Sequence, residues 1–314
     1  MKIQIAKQDL MDAIKLTSTT ISTTGSDIST HFLFRLTGGG TGAEVQTYSN
    51  RVFSSSPLVC QVVGYNEGDP TAFTVEGKRL QMWLSAVEDA ALNLEFDGEV
   101  VKAIAPVGEQ HFASLDPETF VSWDDILKEA ETTVSIEAPR LIGALQHLRS
   151  FIAVDDLKTP EFSLTEVREG QFYASDKETA TVVGIQGIAG SSVRIHGKNI
   201  PSLQQFLGQC GEGTITILEH DRFALYQRGD GALFGESRFS KAFPALDVGK
   251  DREDQHHWYL TKESIETGIR FLRSGAPHED VRLFFRPGEE DAVEMGMTRL
   301  VGGQKYLPVE CIEQ

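Results

Sequence analysis

Apolar residues recur along this chain in two rhythms, and the rhythms take turns. Five stretches begin with alternating apolar and polar positions and then switch to helical spacing. They read KIQIAKQDLMDAI, AFTVEGKRLQMWLSAV, TVSIEAPRLIGALQHL, SVRIHGKNIPSLQQFL and HWYLTKESIETGIRFL. A period of two marks a half-buried strand, and a recurrence at three and four marks an amphipathic helix. Leu80, Trp83, Leu84 and Val87 give one stripe, and Leu141, Ala144, Leu145, Leu148 and Ile152 give the next. Ile200, Leu203 and Leu207 continue the series, as do Ile265, Ile269 and Leu272. A single apolar face predicts that each helix packs on a sheet and shows its other face to water. Pro139 and Pro201 suit a first helical turn, and Thr261 suits an N-cap.

The strands after the helices also repeat. LNLEFDGEVVKAIA parallels ITILEHDRFALYQR and VRLFFRPGEEDAVEMGM, hairpins with Asp, Gly and Glu at their bends. HFASLDPETF stands beside FGESRFSKAFPAL as one kind of ending. AEVQTYSNRVFSSSPL and GQFYASDKETATVVGI form another. The chain is therefore an α+β protein of five similar units in the order A-B-A-B with a last unit nearest B. Residues 1–127 form one domain, with halves at about 1–67 and 68–127; residues 128–250 form a second, with halves at about 131–190 and 191–250. Residues 251–314 form a partial third domain of one half, and DVGKDREDQHH (residues 247–257) is the candidate linker.

Two of the helix entries share more than a rhythm. Gly77-Lys78 and Gly197-Lys198 occupy the same step, 120 residues apart. With TVEGKRLQMWL and RIHGKNIPSLQQFL as second-half entries, YASDKE followed by ATA as a first-half ending, FSKAFPAL closing a domain and YLPVEC near the C-terminus, the chain resembles the DNA sliding clamps, specifically the bacterial β subunit of DNA polymerase III. The resemblance covers most of the chain. It implies the DNA-clamp fold: repeated β-α-β-β-β half-domains, helices lining a ring and sheets outside. It implies a processivity factor that encircles double-stranded DNA without reading its sequence. It further implies a ring-forming homo-oligomer, a clamp loader that opens it, and DNA polymerase tethered through a short linear peptide. No cofactor is called for. Rings of this family total twelve half-units, whereas five are found here. That mismatch points to a divergent clamp carried by a phage or another mobile replicon.

Charge then gains meaning. The chain carries −17 overall. The helix windows 6–22, 76–90, 137–153, 196–209 and 261–274 carry 0, −1, +1, +1 and +1, so the rest carries −19. A weakly positive lining attracts phosphate through a screened field, while an acidic exterior repels other DNA. Lys78, Arg79, Arg149, Lys198, Arg270 and Arg273 are the leading candidates for a channel lining; Lys7, Lys15, Arg140 and Lys262 are secondary. Each could instead be ordinary solvated surface, and Arg149 and Arg273 could brace a neighbouring strand.

The resemblance also implies a peptide pocket at a domain junction. By position it falls on Ser175, Asp176, Lys177, Thr179 and Ala180, on Phe243, Pro244 and Leu246, and on Leu307, Pro308 and Val309. The family has a Gly-His-Arg-Leu run after the Asp, whereas this chain has Lys177-Glu178-Thr179-Ala180. Pro244 and Pro308 could also simply end strands.

Other motifs carry less. LTGGGTGAEV lacks the Gly-Lys-Ser/Thr of a phosphate loop and reads as a hairpin tip. FGESRF lacks the second glycine of a nucleophile elbow. His256-His257 has no companion ligand at metal spacing, and Glu289-Glu290-Asp291 reads as a solvated turn. The three cysteines are scattered and imply neither disulfides nor zinc. No apolar run suits a membrane span and MKIQIAKQDL has no secretion-signal pattern, so a cytoplasmic, non-enzymatic protein is expected. The competing readings are a clamp-fold adaptor that forms no DNA ring and an enzyme on a duplicated scaffold.

Overall fold

Each predicted switch from alternation to helical spacing within the first 210 residues becomes a strand running into a helix. The computed structural model describes residues 1–22, 27–49, 51–66, 68–88, 90–120, 123–153, 159–177, 179–239 and 243–244. Beyond these it describes residues 263, 265–267, 270, 282–287, 293–298 and 304–309. The chain forms two bodies, residues 1–246 and 247–314.

The first body begins with β1 (Lys2–Ala6), α1 (Lys7–Thr17), β2 (His31–Thr37), β3 (Gly42–Ser49), β4 (Val52–Leu58) and β5 (Cys60–Val63). There follow β6 (Ala72–Glu76), α2 (Gly77–Ala86), β7 (Ala91–Phe96), β8 (Val100–Ala105), β9 (Gly108–Ala113) and α3 (Asp124–Glu129). The pattern then recurs as β10 (Glu131–Glu137), α4 (Ala138–Leu148), β11 (Leu164–Arg168), β12 (Gln171–Ser175) and β13 (Ala180–Gly184). It closes with β14 (Arg194–His196), α5 (Ile200–Gly208), β15 (Thr214–Glu219), β16 (Phe223–Arg228) and β17 (Leu233–Ser237). The glycine-rich tip at 38–41 joins β2 to β3, and FGES lies in a strand.

The predicted stripes are the buried faces. Leu80, Leu84 and Val87 are closed off from water, as are Leu141, Leu145, Leu148, Ile200, Leu203 and Leu207. Burying one such side chain fully stabilises the fold by about 1.5–3 kcal/mol. Pro139 and Pro201 occupy first turns, where no backbone N–H is missed. One core gathers residues from Ile3 to Phe112, and another gathers residues from Val134 to Phe234 with Leu16.

The sheets interleave the halves. One sheet runs β5-β1-β7-β8-β9, so β1 leaves its own half to pair with β7, Ile3 opposite Leu94. In return β6 joins β2, Phe34 opposite Phe73. The second half-pair repeats the exchange. β10 pairs with β15, and β14 with β11. An eight-stranded sheet, β10-β15-β16-β17-β4-β3-β2-β6, then carries hydrogen bonding from one half-pair into the other.

The β17–β4 junction is tightly packed. Gly235 lies opposite Phe53, and a Cβ on it would stand 2.2 Å from the phenyl ring. Trp123 stacks on the Phe53 ring, centroids 3.5 Å apart. Arg35 on β2 reaches both carboxylate oxygens of Asp124 on α3 at 2.7 Å. The buried end of α1 is also satisfied from here. The Thr17 carbonyl accepts from the hydroxyls of Thr47 at 2.6 Å and Ser54 at 3.0 Å.

In the second body, β18 (Arg282–Pro287), β19 (Val293–Thr298) and β20 (Gln304–Val309) form an antiparallel meander. Glu263, Ile265, Glu266, Thr267 and Arg270 are helical. Thr261, Ile269, Leu272, residues 247–257 and residues 289–291 lie outside the described residues.

Candidate nucleic-acid interface and partner slot

The twice-used Gly-Lys step has a steric cause at its glycine. A Cβ on Gly77 would stand 2.4 Å from Ile21 and 3.1 Å from the Thr30 carbonyl. One on Gly197 would stand 2.8 Å from Ile152 and 3.2 Å from the Ser163 carbonyl. Ile21 and Ile152 each end the 3-10 turn that follows the preceding half's helix. Thr30 and Ser163 each immediately precede a strand, β2 and β11. The same backbone approach is thus built twice.

The lysines that follow differ slightly. Lys78 is the second residue of α2 and exposed, whereas Lys198 sits in the turn ahead of α5. The remaining candidate cations separate by what they touch. Lys7 points its ammonium at the Val87 carbonyl, 2.5 Å away, and so ties α1 to the end of α2. Arg79 lies over the Phe112 ring at 5.6 Å and reaches the His111 carbonyl at 3.5 Å, bracing β9. Arg140 pairs with Glu137 at 2.6 Å and contacts Gln186. Lys15 is exposed in a cleft shared with Asp9, Asp12, Arg228 and Asp230. Arg270 pairs with Glu266 at 3.5 Å. Lys262 and Arg273 lie outside the described residues.

Two clefts share Lys198. The larger, about 730 Å³, lies where α1 ends and α5 begins, and Arg51, Tyr48, Ser49, His196, Asn199 and Ser202 help line it. The smaller, about 240 Å³, brings Arg149 to Lys198, with Ser163, His196 and Pro201. Among the described residues no Asp or Glu lines either cleft. In a chain of net charge −17 that makes both local attractors for anions.

Behind the larger cleft sits Glu236, wholly buried. It accepts from the Asn199 side chain at 2.8 Å, the His196 backbone at 3.4 Å and the Tyr226 hydroxyl at 3.3 Å. Burial pushes its carboxyl up to about 7, against the pull of those hydrogen bonds. It thereby holds two cleft residues, His196 and Asn199, in place.

The candidate partner slot is partly filled by its own chain. Phe243 is buried, packed with Leu164 and Tyr173 and edge-on to Phe162. Its backbone N–H donates to Glu166, and its carbonyl accepts from Arg168, which also reaches the Pro244 carbonyl. Glu166, itself buried, holds Arg168 at 2.6 Å and Arg194 at 2.9 Å. At the rim, Ser175 and Asp176 shape a tight turn to Thr179: the Ser175 hydroxyl donates to the Thr179 carbonyl, and Asp176 accepts from the Thr179 N–H. Lys177 takes a φ of 83° there and sets its ammonium 5.5 Å from the centre of Phe162. Ala180 starts the edge strand β13. Leu307, Pro308 and Val309 lie on β20, opposite Met295, Glu294 and Val293. Leu246 lies outside the described residues.

No family model matches this sequence, and no curated protein does. Solved structures do match. The DNA polymerase sliding clamp from Caulobacter crescentus aligns over 99% of this chain and 84% of its own, with a TM-score of 0.77 at 16% identity. The DNA polymerase III subunit beta from Pseudomonas aeruginosa gives 0.77 at 13% identity over the same shares of the two chains. The sliding clamp from Bacillus subtilis gives 0.73 at 13%, again over 99% and 84%. The fold is that of the DNA sliding clamps.

Lys177, where the resemblance implied a glycine, takes a positive φ that favours glycine. The sequence pattern did not single out Arg51 or Glu236. Arg51 gave no signal of its own, and Glu236 lies in FGESRF, weighed there only as a nucleophile elbow, on a strand buried at four successive positions. Among the described residues no cluster of metal-ligating side chains occurs, and no helix is long and apolar enough to cross a membrane. Cys60 and Cys210 are free and half-buried.

Proposed function

We propose that this protein is a DNA sliding clamp, a processivity factor that encircles duplex DNA and tethers polymerase and other replication or repair proteins. The observation that carries the reading is the likeness to β clamps over 99% of the chain. The mechanism is topological. A closed ring needs no tight grip, because leaving requires an interface to open. The clefts lined by Arg51, Arg149 and Lys198 supply a screened attraction for backbone phosphates and few fixed contacts, so the ring slides. Lys78 and Arg149 extend that lining. The first body holds four halves, so three copies of it make the twelve that the family's rings contain. Polymerase binds through a short apolar peptide at the Lys177–Pro244 rim, a clamp loader opens the ring, and the protein itself catalyses nothing. It works in the cytoplasm, on the nucleoid.

The deciding experiment is retention on DNA. After loading, the protein should stay on circular DNA through gel filtration and run off the linearised form. Equal loss from both would overturn the topological reading and favour the adaptor.

A further inference from the structure

The bend at the rim of the candidate partner slot has a counterpart inside the first body. In the third half, Ser175 lies opposite Ala180, and the turn 176–179 between them forms that rim. In the first half, Tyr48 lies opposite Phe53, with the bend 49–52 between them. The strands carrying the two bends hold matching places, β4-β3-β2-β6 beside β13-β12-β11-β14. The bend 49–52 therefore stands where the third half has its slot rim, and Ser49, Arg51 and Val52 line the larger cleft.

The chemistry at the two places differs. The candidate slot is built on Phe162, Leu164 and Tyr173. The cleft instead carries Arg51 and Lys198, both exposed, beside the partly buried Ile21 and Val52. Its frame is set before anything binds. The Thr20 hydroxyl is tied to those of Thr47 at 2.6 Å and Ser54 at 2.7 Å. The Arg51 carbonyl accepts from the Ser237 N–H at 2.8 Å. Glu236 holds His196 and Asn199, and the His196 ring in turn accepts from the Lys198 N–H at 3.2 Å. A cleft fixed in this way loses little freedom on binding. At about 730 Å³ it has the size of a ligand site.

We propose that the larger cleft is a second partner slot, and that its occupant is a short acidic peptide carrying an apolar side chain. The peptide carboxylates pair with Arg51 and Lys198, and the apolar side chain packs against Ile21 and Val52. A duplex presents phosphates at its surface and no apolar side chain, so it leaves that wall unused. The chain carries −17 overall, and an acidic peptide is repelled from most of its surface. Charge thus selects the place, and the apolar contact selects the peptide. This use goes beyond the clamp function and does not depend on a ring. A seated peptide takes Arg51 from DNA phosphates and leaves them Arg149, which lines the smaller cleft.

The test selects peptides of about twelve residues, mixing Asp and Glu with apolar residues in random order, on the full chain. Enriched sequences should keep both classes of residue. In fluorescence anisotropy a selected peptide should bind about tenfold more weakly to Arg51→Glu and to Lys198→Glu. Lys102→Glu, the same change of charge in the β5-β1-β7-β8-β9 sheet, should leave its affinity unchanged. Thermal melts check that the variants fold. Where a reversal lowers melting, Arg51→Gln or Lys198→Gln takes its place, with a smaller loss in the same direction. If no selected peptide responds to these variants, the slot is overturned. If Arg51→Glu then still weakens duplex DNA, the cleft belongs to the DNA lining alone. Equal competition by polyglutamate also overturns the slot, because a diffuse field and not an anchored peptide is then at work. Loss of circular-DNA retention by the parent protein undoes the ring and leaves the slot standing.

Discussion

Gly77 is held so close to Ile21 that a single added carbon would stand 2.4 Å from the isoleucine methyl. Gly197 repeats the approach against Ile152 at 2.8 Å. Both neighbours are side-chain methyls, so each can yield a little, but the backbone carbonyls of Thr30 and Ser163, at 3.1 and 3.2 Å, yield less. Gly77→Ala and Gly197→Ala should each destabilise the fold by about 1–3 kcal/mol, the usual range for overpacking. Urea unfolding measures this, and an unchanged midpoint would show that the approach is slack.

Stability should fall as pH rises through the Glu236 range. The folded protein holds this carboxyl near 7 and the unfolded chain near 4.5, so between those values the folded state binds the extra proton. The stabilising difference is present below the unfolded value and lost by about pH 7. The total is on the order of 3 kcal/mol. Glu236→Gln should flatten that slope in denaturation curves taken from pH 5 to 8.

Lys78 and Lys7 should separate cleanly. Lys78→Ala should lower the slope of log affinity for DNA against log salt by about 1 and leave melting unchanged. Lys7→Ala breaks the bond to Val87 and should lower stability by about 1 kcal/mol with the salt slope intact. Fluorescence anisotropy at several salt concentrations, beside thermal melts, reads both.

At residue 177 backbone and side chain oppose each other. A non-glycine residue at φ 83° is strained by about 1–2 kcal/mol, while the ammonium over Phe162 returns about 0.5–1 kcal/mol. Lys177→Ala keeps the strain and loses the contact. Lys177→Gly loses both, and should be about 1 kcal/mol more stable than the alanine variant by chemical denaturation.

Removing Glu166 should loosen the closing segment. Glu166→Ala strands Arg168 and Arg194 and frees the Phe243 N–H, at roughly 2–3 kcal/mol because both arginines keep some water. Limited proteolysis should then cut near residues 239–244 first, while Lys2→Ala, which breaks an ion pair with Glu95 in the β5-β1-β7-β8-β9 sheet, should not change the pattern.

The helices could be read from sequence because each buries one face, and a stripe such as Leu141, Leu145 and Leu148 records that burial directly. The paired Gly-Lys steps were also visible, but their meaning was not. Lysine drew attention to charge, while the repeated constraint lay in the glycine and in two isoleucines 56 and 45 residues upstream. The exchange of β1 and β6 between sheets leaves no mark, because alternation states which face a strand buries and not which neighbour it has. Glu236 was hidden for the same reason. An acidic residue in a strand normally faces water, and only the convergence of Asn199, His196 and Tyr226 permits this one inside. Arg51 likewise gains its place beside Lys198 through a junction between segments nearly 150 residues apart.

The exchange of first strands also governs how the protein is made. β1 leaves the ribosome ahead of both its neighbours, since β5 and β7 follow about 60 and 90 residues later. At the roughly 5–20 residues per second of synthesis, Ile3 and Ile5 stay without their sheet for about 5–20 s. A nascent chain halted anywhere in that interval presents Ile3 and Ile5 on an unpaired strand, and the first half cannot be finished until β7, near the middle of the second, has been translated.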